Sequence, residues 1–369
     1  MFKIFSKNLQ SNTFLPIDII ICIINYLSIK LGFRQTCKLF YIYTNRFYQI
    51  IPIETKRIKK NSKYSSGKSF GALDEKENIL YTTDPNNFLI RFRDLKNPNH
   101  KPKKLISCIF TYSDRKGTIV SSFESPYGIV FSDFNGEKSL YITFPEAHIV
   151  AKICIDTKSI SQIYGRVKVR NSYIFFQDMI ISHKTNYCSL NETTFNYPHG
   201  IALNSRMNLL YIIQGKIFLE ILRINLYNNM IDVVYTNDIY LNMENIYLFY
   251  SSIHNQLYFT FLSDNNYLYR IDLDSNIGVM LYKGNVKINS FFIDEKTQEL
   301  YALGDEWWIF SISLINSTSI NIFSSKHFLC IPYEKYEYPN DIIFDKKERC
   351  LLILTSIFHL KKFAFTQIE

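Results

Sequence analysis

Gly71 to Thr83 read GALDEKENILYTT, a short apolar strand, a polar turn and a second apolar strand. Five further stretches repeat this pattern, and each has an aromatic residue or a leucine at the same place in its second strand. They are GIVFSDFNGEKSLYIT (128–143), GIALNSRMNLLYII (200–213), FYSSIHNQLYFT (249–260), FFIDEKTQELYAL (291–303) and DIIFDKKERCLLILT (341–355). Recurrence of one strand–turn–strand unit is typical of a repeat architecture.

A third strand-like segment follows each unit, and a fourth follows the first five. Four antiparallel strands that recur at intervals of roughly 40 to 70 residues predict an all-β fold, a β-propeller with six blades. The sixth unit ends after three strands, and an unpaired strand edge promotes aggregation. We therefore expect Tyr48 to Ile53, which precede the first unit, to supply the missing strand.

Three of the first strands begin after a proline turn: Ser125-Pro126-Tyr127-Gly128, Tyr197-Pro198-His199-Gly200 and Tyr338-Pro339-Asn340-Asp341. Proline cannot donate to a strand ladder, so it suits a strand start. This start, followed by an aliphatic strand, resembles NHL-type repeats, and the resemblance covers most of residues 70 to 365. It implies an NHL-like six-bladed propeller over residues 69–369. Propellers of this kind include protein- or RNA-binding modules and metal-dependent lactonases, so the fold alone does not choose a function.

Residues 15–40 read LPIDIIICIINYLSIKLGFRQTCKLF. Pro16 suits the first turn of a helix. The apolar residues that follow cover the whole helical circumference, so a single neighbouring helix cannot bury all of them. A secretory signal or an ordinary buried helix pair are alternative interpretations. An apolar run of about a dozen residues is too short for a bilayer, which needs roughly 20, so no membrane partner is predicted.

This segment resembles the F-box, the helical motif that docks a substrate receptor onto the Skp-type adaptor of cullin-based ubiquitin ligases. The matching residues are Leu15, Pro16, Asp18, Ile19, Ile20, Ile23, Ile24, Tyr26, Leu27, Arg34, Cys37, Lys38 and Phe40. The resemblance implies a small α-helical domain over residues 13–48, after a tail of residues 1–12 and before a basic linker of residues 49–68. The adaptor-binding residues that it implies are Leu15, Pro16, Ile20, Ile24, Leu27, Cys37, Lys38 and Phe40.

The net charge of +9 is concentrated at the N-terminal end, because residues 1–68 hold twelve Lys and Arg against Asp18 and Glu54. The remaining chain is close to neutral. A domain that binds nucleic acid through phosphates carries its own positive surface, so a nucleic-acid partner is not expected for the propeller. The seven cysteines are scattered, odd in number and without a Cys-x-x-Cys pair, which predicts an intracellular, reducing compartment.

Little in the repeat region indicates catalysis. A lactonase-type propeller would hold a cation with oxygen ligands, and the candidates are Glu124, Asn289, Asn340 and Asp341. This set is incomplete, because Tyr127 and His199 stand at matching positions, so we predict no catalytic residue, no metal and no cofactor.

The sequence thus favours a non-catalytic substrate receptor of a Skp/cullin/F-box ligase, whose propeller binds a target protein. The alternatives are a metal-dependent lactonase-like hydrolase, and an interaction module that binds protein or RNA outside the ubiquitin system. Insertions at 111–124 and 167–196 are longer than ordinary propeller loops. The predicted target-binding face comprises Tyr127, His199, Asn266, Glu306, Trp307 and Asn340.

Overall fold

A computed structural model describes most of the repeat region and the short segment predicted to close it. The described residues are 48–52, 68–97, 101–113, 119–165, 168–169, 172–173, 195–215, 219–237, 242–262, 266–284, 287–304, 308–314, 329–330, 338–355 and 360–367. Within these ranges every regular element is a β-strand. The predicted F-box domain of residues 13–48 lies outside the described residues except for Tyr48, and so do its eight adaptor-binding residues.

The described strands form six four-stranded antiparallel sheets, which we number in chain order. The fourth strand of the last sheet is β1, Tyr48–Pro52. Sheet 1 comprises β2 (Gly71–Asp74), β3 (Ile79–Asp84), β4 (Leu89–Asp94) and β5 (Lys103–Ser107). A separate hairpin of β6 (Ile109–Ser113) and β7 (Ile119–Phe123) follows. Sheet 2 comprises β8 (Ile129–Phe134), β9 (Glu137–Phe144), β10 (Ile149–Cys154) and β11 (Ser159–Gly165). A short pair, β12 (Lys168–Val169) and β13 (Ser172–Tyr173), follows sheet 2.

The second half of the chain continues the same order. Sheet 3 comprises β14 (Ile201–Asn204), β15 (Leu209–Gln214), β16 (Leu219–Asn225) and β17 (Ile231–Asn237). Sheet 4 comprises β18 (Asn242–Ser251), β19 (Gln256–Leu262), β20 (Asn266–Asp272) and β21 (Ile277–Gly284). Sheet 5 comprises β22 (Ile288–Asp294), β23 (Glu299–Gly304), β24 (Trp308–Ser313) and β25 (Leu329–Cys330). Sheet 6 comprises β26 (Pro339–Asp345), β27 (Cys350–Thr355), β28 (Leu360–Gln367) and β1.

The first strands of the sheets are neighbours around a closed ring. In order they are β2, β8, β14, β18, β22 and β26, and β26 lies beside β2 again. Because each sheet then extends outward through its second, third and fourth strands, the architecture is a β-propeller. The predicted all-β propeller is confirmed in this part of the chain, and each repeat unit read from the sequence supplies the first two strands of one sheet.

The polar turn of each unit has a local physical cause. In sheet 1 the Asp74 carboxylate accepts hydrogen bonds from the amides of Lys76 and Glu77, at 3.0 and 3.1 Å. Asn78 then takes a positive φ of 63°, a conformation that asparagine tolerates better than most residues. Asn204, Asp294 and Asp345 accept equivalent bonds from their own turns. These side chains therefore fix where the first strands of sheets 1, 3, 5 and 6 end.

Aromatic side chains fill the spaces between neighbouring sheets. The tyrosine that marks the second strand of a unit is buried in each case, as Tyr81 and Tyr211 illustrate at 3% and 1% exposure. Tyr81 stacks on Phe131 of sheet 2 with ring centroids 6.0 Å apart, and Tyr211 stacks on Tyr250 of sheet 4 at 5.6 Å. Stacked aromatic pairs add to the stabilisation that burial provides. The abundant Tyr and Phe of the sequence thus serve contacts between sheets.

The ring is closed by the segment that precedes the first repeat. β1 pairs antiparallel with β28 from Tyr48 opposite Gln367 to Pro52 opposite Phe363. This is the position expected for the borrowed strand, and it protects the outer edge of sheet 6 with backbone hydrogen bonds. Sheet 6 is consequently assembled from both ends of the described chain.

Candidate functional site

In each sheet, one residue lies three positions before the first-strand residue that pairs with the Tyr or Leu of the second strand. The first strands pair with their second strands in the same register: Ala72 lies opposite Tyr81, Ala202 opposite Tyr211, and Ile343 opposite Leu352. Counting back from this register gives one equivalent residue per sheet. We call these six residues the mouth ring: Ser69, Tyr127, His199, Ile246, Asn289 and Asn340. It contains three of the predicted target-binding residues and one further predicted metal ligand.

His199 is an enclosed member of the mouth ring. It is 7% exposed, and the ring of Tyr127 meets it edge-on with centroids 4.9 Å apart. Both of its ring nitrogens are buried without a hydrogen-bond partner among the described residues. Burial lowers the pKa of His199 to about 4, because the charged imidazolium is poorly solvated there. His199 is therefore neutral at physiological pH.

Both asparagines of the mouth ring are buried, and one of them connects neighbouring sheets. Asn289 is 2% exposed, its amide donates to the Pro339 carbonyl at 2.8 Å, and its Oδ1 accepts from Lys68 Nζ at 3.3 Å. Asn340 is 5% exposed, and its Nδ2 has no hydrogen-bond partner among the described residues. Asn289 thus holds sheet 5 to sheet 6 and to the start of sheet 1.

The predicted target-binding residues are therefore mostly enclosed where they can be located. Tyr127 is half-buried, while His199, Asn266 and Asn340 are buried. Glu306 and Trp307 lie outside the described residues. Buried side chains offer little surface to a partner, so a contact between these residues and a target remains a prediction.

Asp341 follows Asn340 of the mouth ring in the sequence, and it is the most completely buried acidic residue of this region. Its Oδ1 accepts from Ser290 Oγ at 2.5 Å and from the Ile342 amide at 2.8 Å, and its Oδ2 accepts from the Gly71 amide at 2.8 Å. These bonds join sheets 5, 6 and 1 at the closure of the ring. Among the described residues no basic side chain pairs with it, and burial raises its pKa to about 7.

The predicted metal-ligand set is not assembled around one point. The oxygens of Asp341 face Ser290 and two backbone amides, and the amide of Asn289 is bonded to Pro339. No group of three or more His, Cys, Asp or Glu side chains in the described residues is placed to hold a metal ion. The arrangement instead binds sheets to one another.

The first strands enclose a channel that contains two overlapping chambers, which share lining residues such as Leu73, Leu203 and Tyr247 and which we call the inner and outer chambers. The inner chamber has a volume of about 350 Å³ and is lined by the first strands of sheets 1, 2, 3 and 4, with Asp341 of sheet 6. The outer chamber has a volume of about 330 Å³ and reaches the charged turns that carry Arg206, Glu295 and Lys346. Cavities of this size are in the range that small molecules occupy.

A second feature is an apolar surface at the opposite end of the ring from the strand starts. Six large apolar side chains of sheets 3 and 4 are between 55% and 67% exposed, and we call them the turn-end apolar surface: Met207, Tyr227, Met230, Val233, Ile253 and Ile277. They occupy turns between first and second or third and fourth strands, or the strand residues that follow these turns. Because strands alternate in direction, both kinds of turn lie at the same end of the ring.

Contacts between the sheets connect sheet 3, which carries four of these residues, to sheets 2 and 4. The ring of Tyr227 meets Phe134 of sheet 2 edge-on at 5.2 Å. In the fourth strands, a Cβ on Gly278 of sheet 4 would lie 2.8 Å from the hydroxyl of Tyr235 in sheet 3. Sequence reasoning missed these residues, although methionines in otherwise polar turns such as SRMN and YNNM were a readable signal.

The chain is similar to solved protein structures at low sequence identity. No family model matches the sequence, and no curated protein matches it. A structural genomics protein of unknown function from Bacteroides thetaiotaomicron aligns with a TM-score of 0.50 at 12% identity, over 87% of this chain and 76% of that chain. A chain of a nidogen/laminin complex aligns with a TM-score of 0.46 at 12% identity, over 78% and 92%. The β-propeller domain of Myceliophteria thermophila Cps50 (Swd1) aligns with a TM-score of 0.47 at 10% identity, over 80% and 83%.

No helix among the described residues is long and apolar enough to cross a membrane. At identities this low, structural likeness supports a shared fold and carries no shared activity. The six sheets arranged in a closed ring make the described part of the chain a β-propeller, and a protein-interaction module fits this fold.

Proposed function

We propose that this protein is an intracellular, non-catalytic substrate receptor of a Skp/cullin/F-box ubiquitin ligase. The propeller captures a protein target, and the N-terminal segment docks onto a Skp-type adaptor. The turn-end apolar surface is the observation that carries the capture role, and the F-box resemblance of residues 15–40 supports the adaptor role.

Exposed apolar side chains concentrated on two neighbouring sheets favour protein binding. Six of the seven large apolar side chains that are strongly exposed in the described residues belong to this surface. Scattered apolar residues are normal on a soluble protein, whereas grouped ones mark interaction sites. Tyr227 supplies the aromatic ring that is typical of binding hot spots.

The position of β1 supports a common end for target and adaptor. Leu360 pairs with Leu354 at the strand-start end of sheet 6, so β28 ends at Gln367 on the turn end. Tyr48 lies opposite Gln367. The chain that precedes Tyr48 is therefore attached at the end that carries the turn-end apolar surface.

This attachment suits a receptor that acts by proximity. It forms no bond itself, and it raises the effective concentration of target lysines near the ligase. A rigid strand pairing between β1 and β28 would fix the position of the adaptor-binding segment relative to the turn-end apolar surface.

The proposal is tested by co-purification of the full chain with a Skp-type adaptor. We expect the adaptor to bind the wild type and to be lost in the double variant Leu15→Ala, Pro16→Ala. Proteins captured by the wild type, found by cross-linking, should be lost in Tyr227→Ser with the adaptor retained. Tyr338→Ser is the matched control, since Tyr338 is 62% exposed but starts sheet 6 at the other end. A wild-type chain that ignores the adaptor would refute the ligase role.

A further inference from the structure

The inner chamber of the channel is lined mainly by aromatic and aliphatic side chains. Its aromatic lining residues are Phe70, Tyr127, Phe131, Tyr247, Phe249 and Tyr250. Phe70 and Tyr127 meet with ring centroids 4.6 Å apart, and Phe70 and Tyr247 meet at 6.2 Å. Since these residues come from sheets 1, 2 and 4, the rings surround the space from several sides. Such a cavity favours a ligand with a carbon skeleton.

The charged residues that line the inner chamber itself are acidic, whereas Arg206 and Lys346 line the overlapping outer chamber and Lys346 acts on Glu75. Asp341 and Glu75 are acidic, and none of the described residues that line the chamber is Lys, Arg or His. Asp341 lies within the wall, fully buried, with its oxygens held by Ser290 Oγ, Gly71 N and Ile342 N. Glu75 lies on the exposed turn at the end of β2.

A buried carboxylate without a basic partner is costly, and a nearby cation relieves that cost. The Tyr247 hydroxyl lies close enough to Asp341 for that charge to raise the pKa of Tyr247 further, burial being the larger cause. Tyr247 also lines the chamber, so the field of Asp341 reaches the lined space. Aromatic rings attract cations through their π faces. The negative charge of Asp341 and the aromatic rings of the chamber therefore both favour a cationic ligand.

We propose that the inner chamber binds an organic ammonium ion, with its carbon skeleton among the aromatic rings and its charged nitrogen directed toward Tyr247 and the wall that contains Asp341. The ammonium group belongs either to a free amine or to the side chain of a lysine on a bound peptide. This site is independent of the adaptor-docking proposal, because it uses no residue before Phe70.

Cation binding should also release a proton from the chamber. The titratable groups that line it are Asp341 on β26, Tyr247 and Tyr250 on β18, Tyr127 before β8 and Glu75 after β2, and Arg206 and Lys346 line the overlapping outer chamber. A bound ammonium favours the ionised form of Asp341, so protonated Asp341 loses its proton to solvent. Tyr247 stays neutral throughout, because its pKa is raised well above 10.

The experiment is isothermal titration calorimetry of the full chain at pH 7 with three probes on one skeleton: 2-phenylethylammonium, 2-phenylethanol and phenylacetate. We expect the ammonium to bind at least tenfold more tightly than the alcohol, and phenylacetate not to bind. The heat of ammonium binding should depend on the ionisation enthalpy of the buffer, which reports the released proton. Equal affinity for the ammonium and the alcohol, or no binding by any probe, would overturn the proposal.

Two variants locate the site. Leu203 lines both chambers and is partly buried, so Leu203→Trp should fill the channel and abolish ammonium binding, whereas Leu203→Met should keep it. Asp341→Asn should weaken ammonium binding tenfold or more and remove the buffer dependence. If Asp341→Asn does not fold, the Leu203 pair still decides, because binding that survives Leu203→Trp contradicts the assignment.

The source of the ammonium is distinguished by competition. Displacement of 2-phenylethylammonium by an acetyl-Gly-Lys-Gly amide peptide, and not by its Nε-acetylated form, supports a lysine side chain as the ligand. Binding of the free amine that neither peptide displaces supports a small-molecule amine.

Discussion

Replacing Asp341 by Asn should change how the stability of the propeller depends on pH. In the wild type this carboxyl accepts three hydrogen bonds, from Ser290 Oγ, Ile342 N and Gly71 N. An asparagine can accept the first two through Oδ1. Its Nδ2 would then face the Gly71 amide, which is also a donor. One buried amide without an acceptor costs about 1–3 kcal/mol, so the variant should be less stable where the wild-type carboxyl is protonated.

The sign of the pH effect follows from the raised pKa. Burial raises the pKa of Asp341 to about 7 from its ordinary 3.8. Between these values the folded chain binds more protons than the unfolded chain, so the stability that Asp341 contributes falls as the pH rises. The stability that Asp341 contributes is complete below about pH 3.8 and lost above about pH 7. At about 1.4 kcal/mol per pH unit, the loss amounts to about 4 kcal/mol.

Urea unfolding at several pH values between 4 and 8 measures this effect. The free energy of unfolding of the wild type should exceed that of Asp341→Asn by the largest amount at pH 4. This difference should shrink, or reverse, by pH 8. Other titrating groups cancel when the two proteins are compared at one pH. A difference that is constant or grows with pH would show that the carboxyl is ionised throughout and that our account of its burial is wrong.

Three further outcomes are expected. The wild type should lose about 3 kcal/mol of stability as the pH falls from 6.5 to 4, since the pKa of His199 is lowered to about 4. His199→Phe should keep the edge-on contact with Tyr127 and remove this loss. Urea unfolding of both proteins at the two pH values measures the difference. Gly128→Ala should lower the free energy of unfolding by about 1–3 kcal/mol, because a Cβ there would lie 2.5 Å from the His199 carbonyl oxygen. Gly136→Ala is its control, with no atom within 4 Å and only a positive φ of 79° opposing it, and an equal or larger loss there would contradict the steric reasoning. Deleting residues 1–52 should lower the melting temperature and increase aggregation, whereas a chain that keeps 48–52 should not change; light scattering during heating compares the two.

The repeat architecture could be predicted because each unit is specified locally. In sheets 1 and 3, for example, an Asp or Asn ends the first strand, Asn78 or Asn208 with a positive φ completes the turn, and a tyrosine is buried in the second strand. These features depend on neighbours within a few residues, so the sequence states them directly. The closing strand was predictable for another reason, since the sixth unit lacked one strand and the strand-like segment Tyr48 to Ile53 preceded the first unit.

The burial of the mouth-ring side chains could not be predicted from local sequence patterns in this way. Asn340 and His199 follow prolines in segments that resemble exposed turns, and a side chain there is covered only when the next sheet packs against it. His199 is enclosed by Tyr127 of sheet 2, and its carbonyl accepts from Thr143 Oγ1 of the same sheet at 2.7 Å. Contacts of this kind depend on the angle between sheets, which no local pattern encodes.

The two ends of the ring therefore have different physical roles. At the strand-start end, Asp341 and Asn289 hold sheets 5, 6 and 1 together through buried hydrogen bonds. A partner that needed these side chains would have to break the bonds that close the ring, at a cost of about 1–3 kcal/mol for each buried group left without a partner. Binding at the turn end breaks none of them, and it covers apolar surface that is already exposed. A target protein should accordingly bind around Tyr227 rather than at the mouth ring, and the closed ring should stay rigid while it does so.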